Sequence, residues 1–222
     1  RLSEETKIKP KPLVKIGNKP IIWHLMKIYS SFGIKEFIIC LGYKGYMIKN
    51  EIAKYIKSEN WKIKFINTGL HTMTGGRIKR IQKYINKDKH FCLSYGDGLS
   101  NVNIKKLIRF HLDKNKIATL TAVKYKNPKG VLSINKTSNI NNIKEKPIEY
   151  INGGFLVLSN EIFKYLKNDQ TIFEKDCLPV LSKNKQLLAF KHNGFWACMD
   201  TLREKKELNN LWNNKNCDWK IW

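Results

Sequence analysis

Residues 91–98 read FCLSYGDG, a short apolar run that stops at a carboxylate set between two glycines. The run over 91–95 predicts a buried β-strand, and Gly96-Asp97-Gly98 closes it. In open α/β sheets, ligands bind outside the carboxyl ends of the strands, and a carboxylate at such an end can hold a hard cation. The alternative is an ordinary tight Asp-Gly turn, and the tripeptide alone leaves both open.

The sequence on both sides of this run alternates between helical and strand-like patterns. Helices with an apolar stripe are predicted over 20–33, 46–58, 74–83 and 103–114, and strands over 36–41, 62–67 and 117–125. This βαβα order predicts a parallel sheet covered by helices. The second half has shorter strands, over 131–134, 140–145, 154–158 and 187–190, and helices over 161–168, 172–183 and 201–212.

The charge of the chain is its most unusual bulk property. Lysines and arginines number 42 against 18 aspartates and glutamates, so the formal net charge is +24 over 222 residues. Such basic chains often bind nucleic acid. The lysines, however, are spread along the whole length, and the abundance of Asn and Ile indicates the codon usage of an AT-rich genome. We therefore expect no nucleic-acid partner, and a polyanion-binding module stays an alternative.

Cysteine, histidine and hydropathy exclude several other classes. The five cysteines form no CxxC pair, and the five histidines form no HxxxH pattern. Cys40 and Cys92 lie in apolar strand-like runs, so we interpret them as reduced thiols rather than part of a disulfide or zinc framework. No apolar run approaches the roughly 20 residues of a membrane span. We expect a cytoplasmic protein without membrane insertion.

Two segments have the composition of phosphate sites. Residues 72–77, TMTGGR, form a Gly-rich turn that enters a helix, where free N–H groups suit an anion or a nucleotide and Arg77 adds a fixed charge. Residues 9–12, KPKP, hold Lys11 between two stiffening prolines, as in a phosphate clamp. The alternatives are a helix start with a flexible cap for the first segment and a solvated charge run for the second.

Later segments suit a sugar phosphate and a metal. EKP at 145–147 and NGG at 152–154 place acidic, basic and amide groups on loops after short strands, although each could be an ordinary turn. Asp200 ends the apolar run FWACM at 195–199. A second carboxylate at a strand end is what a divalent metal shared with Asp97 needs. The alternative role of Asp200 is to cap the helix that follows.

The order of these segments resembles the sugar-1-phosphate nucleotidyltransferases. Their signature G-x-G-T-R…P-K is similar here to Arg1 followed by Pro10-Lys11, and the GDG, EKP, NGG and late-aspartate segments come in the same order. The resemblance is greatest to the cytidylyltransferases of that family and covers nearly the whole chain. It is carried by RLSEET at 1–6, KPKP at 9–12, GYKGY at 42–46, MTGGR at 73–77, YGDG at 95–98 and MDTLR at 199–203.

The resemblance implies a fold and a set of roles. The implied fold is α/β, a Rossmann-like, mostly parallel mixed sheet covered by helices, in a single domain over 1–222. About 1–125 would form a nucleotide-binding half and about 126–222 a sugar-phosphate-binding half with the C-terminal tail. The implied roles are phosphate clamping by Arg1 and Lys11 as catalytic residues, Mg²⁺ binding by Asp97 and Asp200, nucleotide binding by Thr72, Arg77 and Gly96, and sugar-phosphate binding by Glu145, Lys146, Asn152 and Gly153.

The implied reaction joins CTP and α-D-glucose 1-phosphate into CDP-glucose and pyrophosphate, for deoxysugar and surface-polysaccharide (lipopolysaccharide O-antigen) synthesis by a homo-oligomer. A phosphate oxygen attacks the α-phosphorus, so the obstacles are charge repulsion and alignment, and no general base is required. One alternative is a pyrophosphorylase for another nucleotide or sugar 1-phosphate. The other is a non-catalytic fragment.

The chain also departs from the family it resembles. The family's first strand and Gly-rich loop would precede Arg1, so we expect the 222-residue chain made alone to be inactive and poorly stable. Synthesis of CDP-glucose by that chain would refute this. Between Ile56 and Thr68 the chain is shorter than the cytidylyltransferases. Tryptophans near the end are expected to pack the tail onto the body or onto another subunit.

Overall fold

The structure is a computed structural model that describes residues 2–85, 87–127 and 129–222. Arg1, predicted to clamp a phosphate, lies outside the described residues. The strands are β1 Lys15–Ile16, β2 Lys19–Pro20, β3 Glu36–Leu41, β4 Lys62–Asn67, β5 His90–Ser94, β6 Gly98–Ser100, β7 Ala118–Lys126, β8 Val131–Ile134, β9 Ile140–Lys144, β10 Ile148–Ser159, β11 Leu187–His192 and β12 Trp196–Cys198. The α-helices are α1 Ser3–Ile8, α2 Ile21–Ser31, α3 Gly45–Ala53, α4 Ile56–Glu59, α5 Thr74–Arg80, α6 Gln82–Ile85, α7 Ile104–Lys114, α8 Leu178–Lys183 and α9 Leu202–Asn213.

The central sheet is mixed. Within the described ranges its strand order is β11–β7–β10–β5. β11 runs parallel to β7, whereas β10 runs antiparallel to both β7 and β5. Three of its strands therefore share one direction, and β3 and β4 add a separate parallel pair. The predicted α/β class with a mixed sheet covered by helices is confirmed, although among the described pairings of this sheet one is parallel and two are antiparallel. Strands from before and after residue 125 share this one sheet, and the division into two functional halves stays a prediction.

The strand β10 lies at the centre of the hydrophobic interior. Because successive residues of a strand point to opposite faces, Phe155 and Val157 pack into one core and Leu156 and Leu158 into the other. The first core also receives buried side chains of α2, α7 and α9, and the second receives those of α5 and α8. The sheet is thus covered by helices on both faces, and β5 is paired with the strand whose side chains form the centre of both cores.

Two apolar strands each have one hydrogen-bonded neighbour in the described part of the chain. β3 pairs with β4, and β5 pairs with β10. Their apolar side chains, such as Ile38 and Leu93, are only half-buried although both pack against the same core. The sequence predicts that the family's first strand belongs to the central sheet, and this stays a prediction.

Several predicted elements differ in detail. The helix predicted over 46–58 is broken into α3 and α4, and the helix predicted over 172–183 begins with a π-helical turn, Phe173–Cys177. The strand predicted over 154–158 is longer, because β10 begins at Ile148 and its first half also pairs antiparallel with β7. The pairing of β6 with β12 was not predicted at all. No helix in the ranges that the structure describes has the length and apolar character needed to cross a membrane.

The C-terminal tail packs onto the body, as predicted. Trp219 is fully buried, and its ring stacks 6.4 Å from that of Trp212. His24 is enclosed by these rings, with 4.7 Å between its ring centre and that of Trp212. Burial among them lowers the pKa of His24 to about 4. The tail therefore closes one end of the first core around a neutral histidine.

Candidate active site

The two predicted metal ligands are brought together by a short antiparallel ladder. β6 begins directly after Asp97, β12 ends two residues before Asp200, and the ladder pairs Gly98 with Cys198. Beyond it, the backbone N–H of Met199 donates to the carbonyl oxygen of Asp97 at 3.1 Å. Because these bonds link the ends of both segments, the side chains of Asp97 and Asp200 reach the same point.

Lys11 is delivered to that point by a 3-10 turn, Lys11–Leu13, which Pro12 stiffens. The turn packs against Gly96, where a Cβ atom would lie 3.1 Å from Cγ of Pro12. A side chain at this position would push the turn outward. Gly96, predicted to line the nucleotide site, therefore has a second role, because it lets Lys11 approach the end of β5 closely.

The ammonium group of Lys11 bridges the two carboxylates. Its Nζ atom donates to Oδ2 of Asp97 at 2.6 Å and also to Oδ1 of Asp200. Burial lowers the pKa of Lys11, but its hydrogen bonds to Asp200 and Asp97 raise it by more, so its pKa lies above the ordinary value. The hydrogen bond from Lys11 lowers the pKa of Asp200. Two carboxylates that converge on one point form a donor set that fits Mg²⁺. Their predicted role as metal ligands stays a prediction.

Asp200 is available for this role because another residue caps the helix. The side chain of Thr201 accepts from the N–H of Glu204 at 3.2 Å, and Oε2 of Glu204 accepts from the N–H groups of Thr201 at 2.8 Å and of Asp200 at 2.7 Å. This reciprocal capping box leaves the Asp200 carboxylate outside the cap. The alternative prediction, in which Asp200 caps the helix, is wrong. Cys198, Asp200 and Glu204 offer ligand atoms within 4.8 Å of one another, but the cap already engages Glu204.

A cavity of about 480 Å³ opens beside the two aspartates. Asn152 and Gly153, predicted to face the sugar phosphate, line another part of its wall together with Tyr95 and Trp196. A larger depression of about 610 Å³ lies at residues 87–90 and 115–117 and contains none of the predicted site residues. The structure thus joins the predicted metal ligands and part of the predicted sugar-phosphate set around one opening.

Tyr95 and Trp196 are cavity residues that sequence reasoning missed. Nε1 of Trp196 donates to the carbonyl oxygen of Gly153 at 2.7 Å, and the hydroxyl of Tyr95 accepts from Nδ2 of Asn152 at 3.3 Å. Each aromatic therefore fixes part of the NGG segment. The signal was present, because Tyr95 directly precedes GDG and Trp196 lies in the run before Asp200, but both read as ordinary apolar residues of strands.

The Gly-rich segment over 72–77 is used differently from its prediction. The N–H groups of Gly75 and Gly76 donate to the carbonyl oxygen of Thr171 at 2.9 and 3.2 Å. A Cβ atom on Gly76 would lie 2.6 Å from the backbone of Asp169, so this glycine permits close packing of two segments. The prediction that these amides are free to bind a phosphate is wrong, because Thr171 already accepts from them.

Arg77 and Thr72 are also engaged within the protein. The guanidinium group of Arg77 donates to Thr68 Oγ1 at 2.6 Å and to the carbonyl oxygens of Leu41 at 3.3 Å and Leu70 at 3.4 Å. Arg77 thereby ties together the loops that follow β3 and β4. Thr72 is buried next to these loops, on the segment that leads into α5. Their predicted nucleotide-binding roles stay predictions.

Glu145 and Lys146 lie on the exposed turn between β9 and β10. Lys146 has a left-handed backbone, with φ of 44°, and its Nζ atom is 3.8 Å from the Glu145 carboxylate. Neither residue is among those that line the 480 Å³ cavity. The structure therefore does not bring them together with Asn152 and Gly153, and their predicted sugar-phosphate role requires this turn to approach the cavity.

The sequence matches the nucleotidyl transferase family over residues 1–208. The chain belongs to this family and is a nucleotidyltransferase, as the motifs predicted. It is 43% identical over 245 aligned residues to the glucose-1-phosphate cytidylyltransferase of Salmonella typhimurium, an alignment that covers 100% of this chain and 95% of the relative. It is 40% identical over 244 residues to the probable glucose-1-phosphate cytidylyltransferase of Bacillus subtilis, with 100% and 95% covered.

Comparison with solved structures agrees with the fold. HddC from Yersinia pseudotuberculosis superposes with a TM-score of 0.72 at 29% identity, covering 91% of this chain and 90% of that one. Both relatives above align over more residues than the 222 of this chain, so they carry residues that this chain lacks. The location of that difference between Ile56 and Thr68 stays a prediction.

Proposed function

We propose that the chain transfers a cytidylyl group from CTP to α-D-glucose 1-phosphate and releases CDP-glucose and pyrophosphate. The full-length similarity to two glucose-1-phosphate cytidylyltransferases supports the choice of substrates. The observation that carries the chemistry is the convergence of Lys11, Asp97 and Asp200 on one point at the mouth of a cavity. A cation-binding centre beside an opening is what the union of two phosphorylated substrates requires.

The residues of the site divide the work. Asp97 and Asp200 are proposed to hold Mg²⁺, which supplies neutralisation and alignment of phosphate charge when it is bound. Lys11 is proposed to bind a phosphate oxygen of the substrates through its ammonium group, which the stiffened turn at Pro12 holds near the two aspartates. Thr72, Arg77 and Gly96 are assigned to the nucleotide side. Gly96 acts by allowing the close approach of Lys11, and Arg77 by holding the loops after β3 and β4.

The sugar-phosphate side is built from two places. Asn152 and Gly153 already line the cavity, and Trp196 and Tyr95 fix them there. Glu145 and Lys146 are proposed to add a carboxylate for a sugar hydroxyl and an ammonium for the phosphate. Because both are exposed on the turn between β9 and β10, we infer that this turn, with the adjoining β8–β9 hairpin, closes over the sugar phosphate when it binds.

Further parts of this proposal concern the setting of the enzyme. Production of CDP-glucose serves deoxysugar and surface-polysaccharide synthesis, in a cytoplasmic homo-oligomer. A second candidate is a related transferase for another nucleotide or sugar. It is favoured by a 28% match to the mannose-1-phosphate guanyltransferase of Aspergillus oryzae, which covers 88% of this chain and 56% of that protein.

The test is pyrophosphate release by the complete natural protein with glucose 1-phosphate and each of CTP, UTP, dTTP, GTP and ATP. We expect kcat/KM for CTP to exceed that for every other triphosphate by at least about tenfold. A parallel series with CTP and mannose, galactose or glucosamine 1-phosphate tests the sugar. Preference for UTP, dTTP or GTP would replace the cytidylyl assignment by the second candidate.

A further inference from the structure

The carboxylate of Glu174 links two segments of the chain, those of Tyr95 and Thr74, by hydrogen bonds. Glu174 lies in the π-helical turn Phe173–Cys177, a rare geometry that often occurs at functional sites. Its Oε1 accepts from the hydroxyl of Tyr95 at 2.6 Å, and its Oε2 accepts from the hydroxyl of Thr74 at 2.7 Å. One half-buried side chain thus connects the end of β5 to the first residue of α5.

On the Tyr95 side, the contacts continue to the cavity wall. A tyrosine hydroxyl has one proton, and because Tyr95 donates it to Glu174, its oxygen is left to accept from Nδ2 of Asn152 at 3.3 Å. Oδ1 of Asn152 accepts from the N–H of Gly154 at 3.0 Å. The Asn152 amide is therefore oriented at both ends, by the Gly154 N–H at its oxygen and by the Tyr95 oxygen at its nitrogen, and Glu174 keeps the Tyr95 proton pointing away from Asn152.

The ring of Tyr95 is held as firmly as its hydroxyl. Gly154 has φ of +78°, and a Cβ atom there would lie 3.0 Å from the Tyr95 ring, so the ring packs directly on the backbone of the NGG segment. The N–H of Tyr95 also donates to the carbonyl oxygen of Gly154 at 3.2 Å. The remaining freedom of Tyr95 lies in its O–H bond, which Glu174 orients.

On the Thr74 side, the contacts stay within the protein. The Thr74 hydroxyl donates to Glu174 and accepts from the N–H of Phe173 at 2.9 Å, which closes a loop between the π-helical turn and α5. This arm anchors Glu174 from behind. The two arms therefore differ in kind, because the Thr74 arm holds the carboxylate in place and the Tyr95 arm transmits that placement to the cavity.

We propose that Glu174 is a positioning residue that, by accepting the proton of Tyr95, keeps the Tyr95 oxygen available to hold the nitrogen end of the Asn152 amide in place for the sugar phosphate. The inference rests on the proposed function, since it assigns Asn152 to the sugar 1-phosphate. It names a residue on a turn after the sheet, outside the GDG, EKP and NGG motifs, as a determinant of sugar-phosphate affinity.

The test compares KM values for both substrates in Glu174→Ala, Glu174→Gln and Tyr95→Phe, with Lys175→Ala on the same turn as an exposed control. We expect Glu174→Ala and Tyr95→Phe each to raise KM for glucose 1-phosphate about tenfold, with KM for CTP changed by less than about threefold. Glu174→Gln retains an oxygen that can accept from Tyr95, and is expected to restore the sugar-phosphate KM to within about threefold of wild type. The double variant Tyr95→Phe/Glu174→Ala should match either single variant, because both act through one hydrogen bond.

The outcomes separate the two proposals. If the wild type does not use CTP and glucose 1-phosphate, the proposed function fails and this inference fails with it. If the wild type is active and the sugar-phosphate KM of both Glu174→Ala and Tyr95→Phe is unchanged, only the inference is overturned. If Glu174→Ala does not fold, Tyr95→Phe decides alone, because it removes one oxygen atom and leaves the ring packing in place.

Discussion

The two walls of the cavity are built in opposite ways. On one wall, Asp97 and Asp200 stand on the ladder between β6 and β12, and Lys11 already satisfies both carboxylates. The other wall, predicted to bind the sugar phosphate, has Asn152 and Gly153 in place. Glu145 and Lys146 lie outside the cavity on the exposed turn between β9 and β10, with 3.8 Å between the Lys146 Nζ atom and the Glu145 carboxylate. The wall with the predicted metal ligands is therefore held together by contacts within the protein, whereas only part of the predicted sugar-phosphate set lines the cavity.

The hairpin of β8 and β9 shows why the second wall is incomplete. Its pairs Leu132–Ile143 and Ile134–Ile140 put four apolar side chains on one face, and each is between 50% and 62% exposed. These strands add no buried side chain to the cores that hold the rest of the sheet. The comparison predicts that substitutions on the first wall affect catalysis most and that substitutions on the second affect sugar-phosphate affinity without affecting stability.

The largest effect is expected at the formed wall. Asp97→Asn removes half of the charge that holds the cation, so kcat/KM should fall about 10³-fold, equivalent to about 4 kcal/mol. Thermal unfolding should change little, because the backbone bonds of the β6–β12 ladder remain. Asp113→Asn, at an exposed carboxylate on α7, is the matched control. A loss of less than tenfold in Asp97→Asn would remove Asp97 from the metal site.

An intermediate effect is expected at the open wall. Lys146→Ala removes one charged hydrogen bond to the sugar phosphate, worth roughly 1.5–3 kcal/mol, so KM for glucose 1-phosphate should rise about 10- to 100-fold. Its melting temperature should match that of wild type because the side chain is exposed. Lys136→Ala, in the turn between β8 and β9, controls for the loss of a positive charge. Equal KM values for glucose 1-phosphate in Lys146→Ala and Lys136→Ala would exclude closure of the turn between β9 and β10 onto the substrate.

A change of pH is expected to alter the free energy of unfolding by an amount similar to the binding energy of Lys146. The change arises from buried histidines outside the β8–β9 hairpin. Burial lowers the pKa of His24 and of His111 to about 4 each. Their unfolded value is about 6.5, so the unfolded chain binds more protons between these limits and stability falls as pH falls. From pH 7 to pH 5 each histidine should cost about 2 kcal/mol of unfolding free energy.

Urea unfolding of wild type and His111→Gln at the two pH values measures this dependence. The variant is expected to lose about half of the pH-dependent change, whatever its absolute stability. A wild-type stability that is the same at pH 5 and pH 7 would contradict burial of neutral histidines in the body.

The smallest effect is expected on the exposed apolar face of the hairpin. Ile143→Ser should change the free energy of unfolding by no more than about 0.5 kcal/mol, because Ile143 is 62% exposed. Leu156→Ala, at a fully buried position of β10, provides the contrast and should cost roughly 2–5 kcal/mol. If Ile143→Ser destabilises the protein by a similar amount, the face is covered in solution, and its oligomeric state should change in the same variant.

Periodicity predicted the framework well where contacts are local. The strands over 36–41 and 62–67 are found as predicted, because an apolar run bounded by glycine and an alternating run need no distant partner to be recognised. The β6–β12 ladder was missed because its two three-residue strands lie almost 100 residues apart. Nothing local distinguishes such a strand from a loop.

The site shows the same limit. Asp97, Asp200 and Lys11 were each named from motifs, but their convergence depends on the packing of Gly96 on Pro12, which no spacing rule contains. The sequence predicts that the amides of Gly75 and Gly76 bind an anion, whereas in the structure they donate to the carbonyl oxygen of Thr171. A Gly-rich helix start has the same sequence whether its amides face a ligand or a neighbouring segment. Glu174 belongs to no motif, and its role follows only from the hydroxyls that it joins.

The most direct test of the central claim, that Lys11 occupies the metal position between Asp97 and Asp200, is a calorimetric titration with Mn²⁺ in the absence of nucleotide. Lys11→Met removes the competing ammonium group, whereas Lys9→Met removes a nearby lysine that pairs with Glu5 instead. We predict that Lys11→Met binds Mn²⁺ about tenfold more tightly than wild type and that Lys9→Met binds it like wild type. Equal or weaker Mn²⁺ binding by Lys11→Met would contradict the claim.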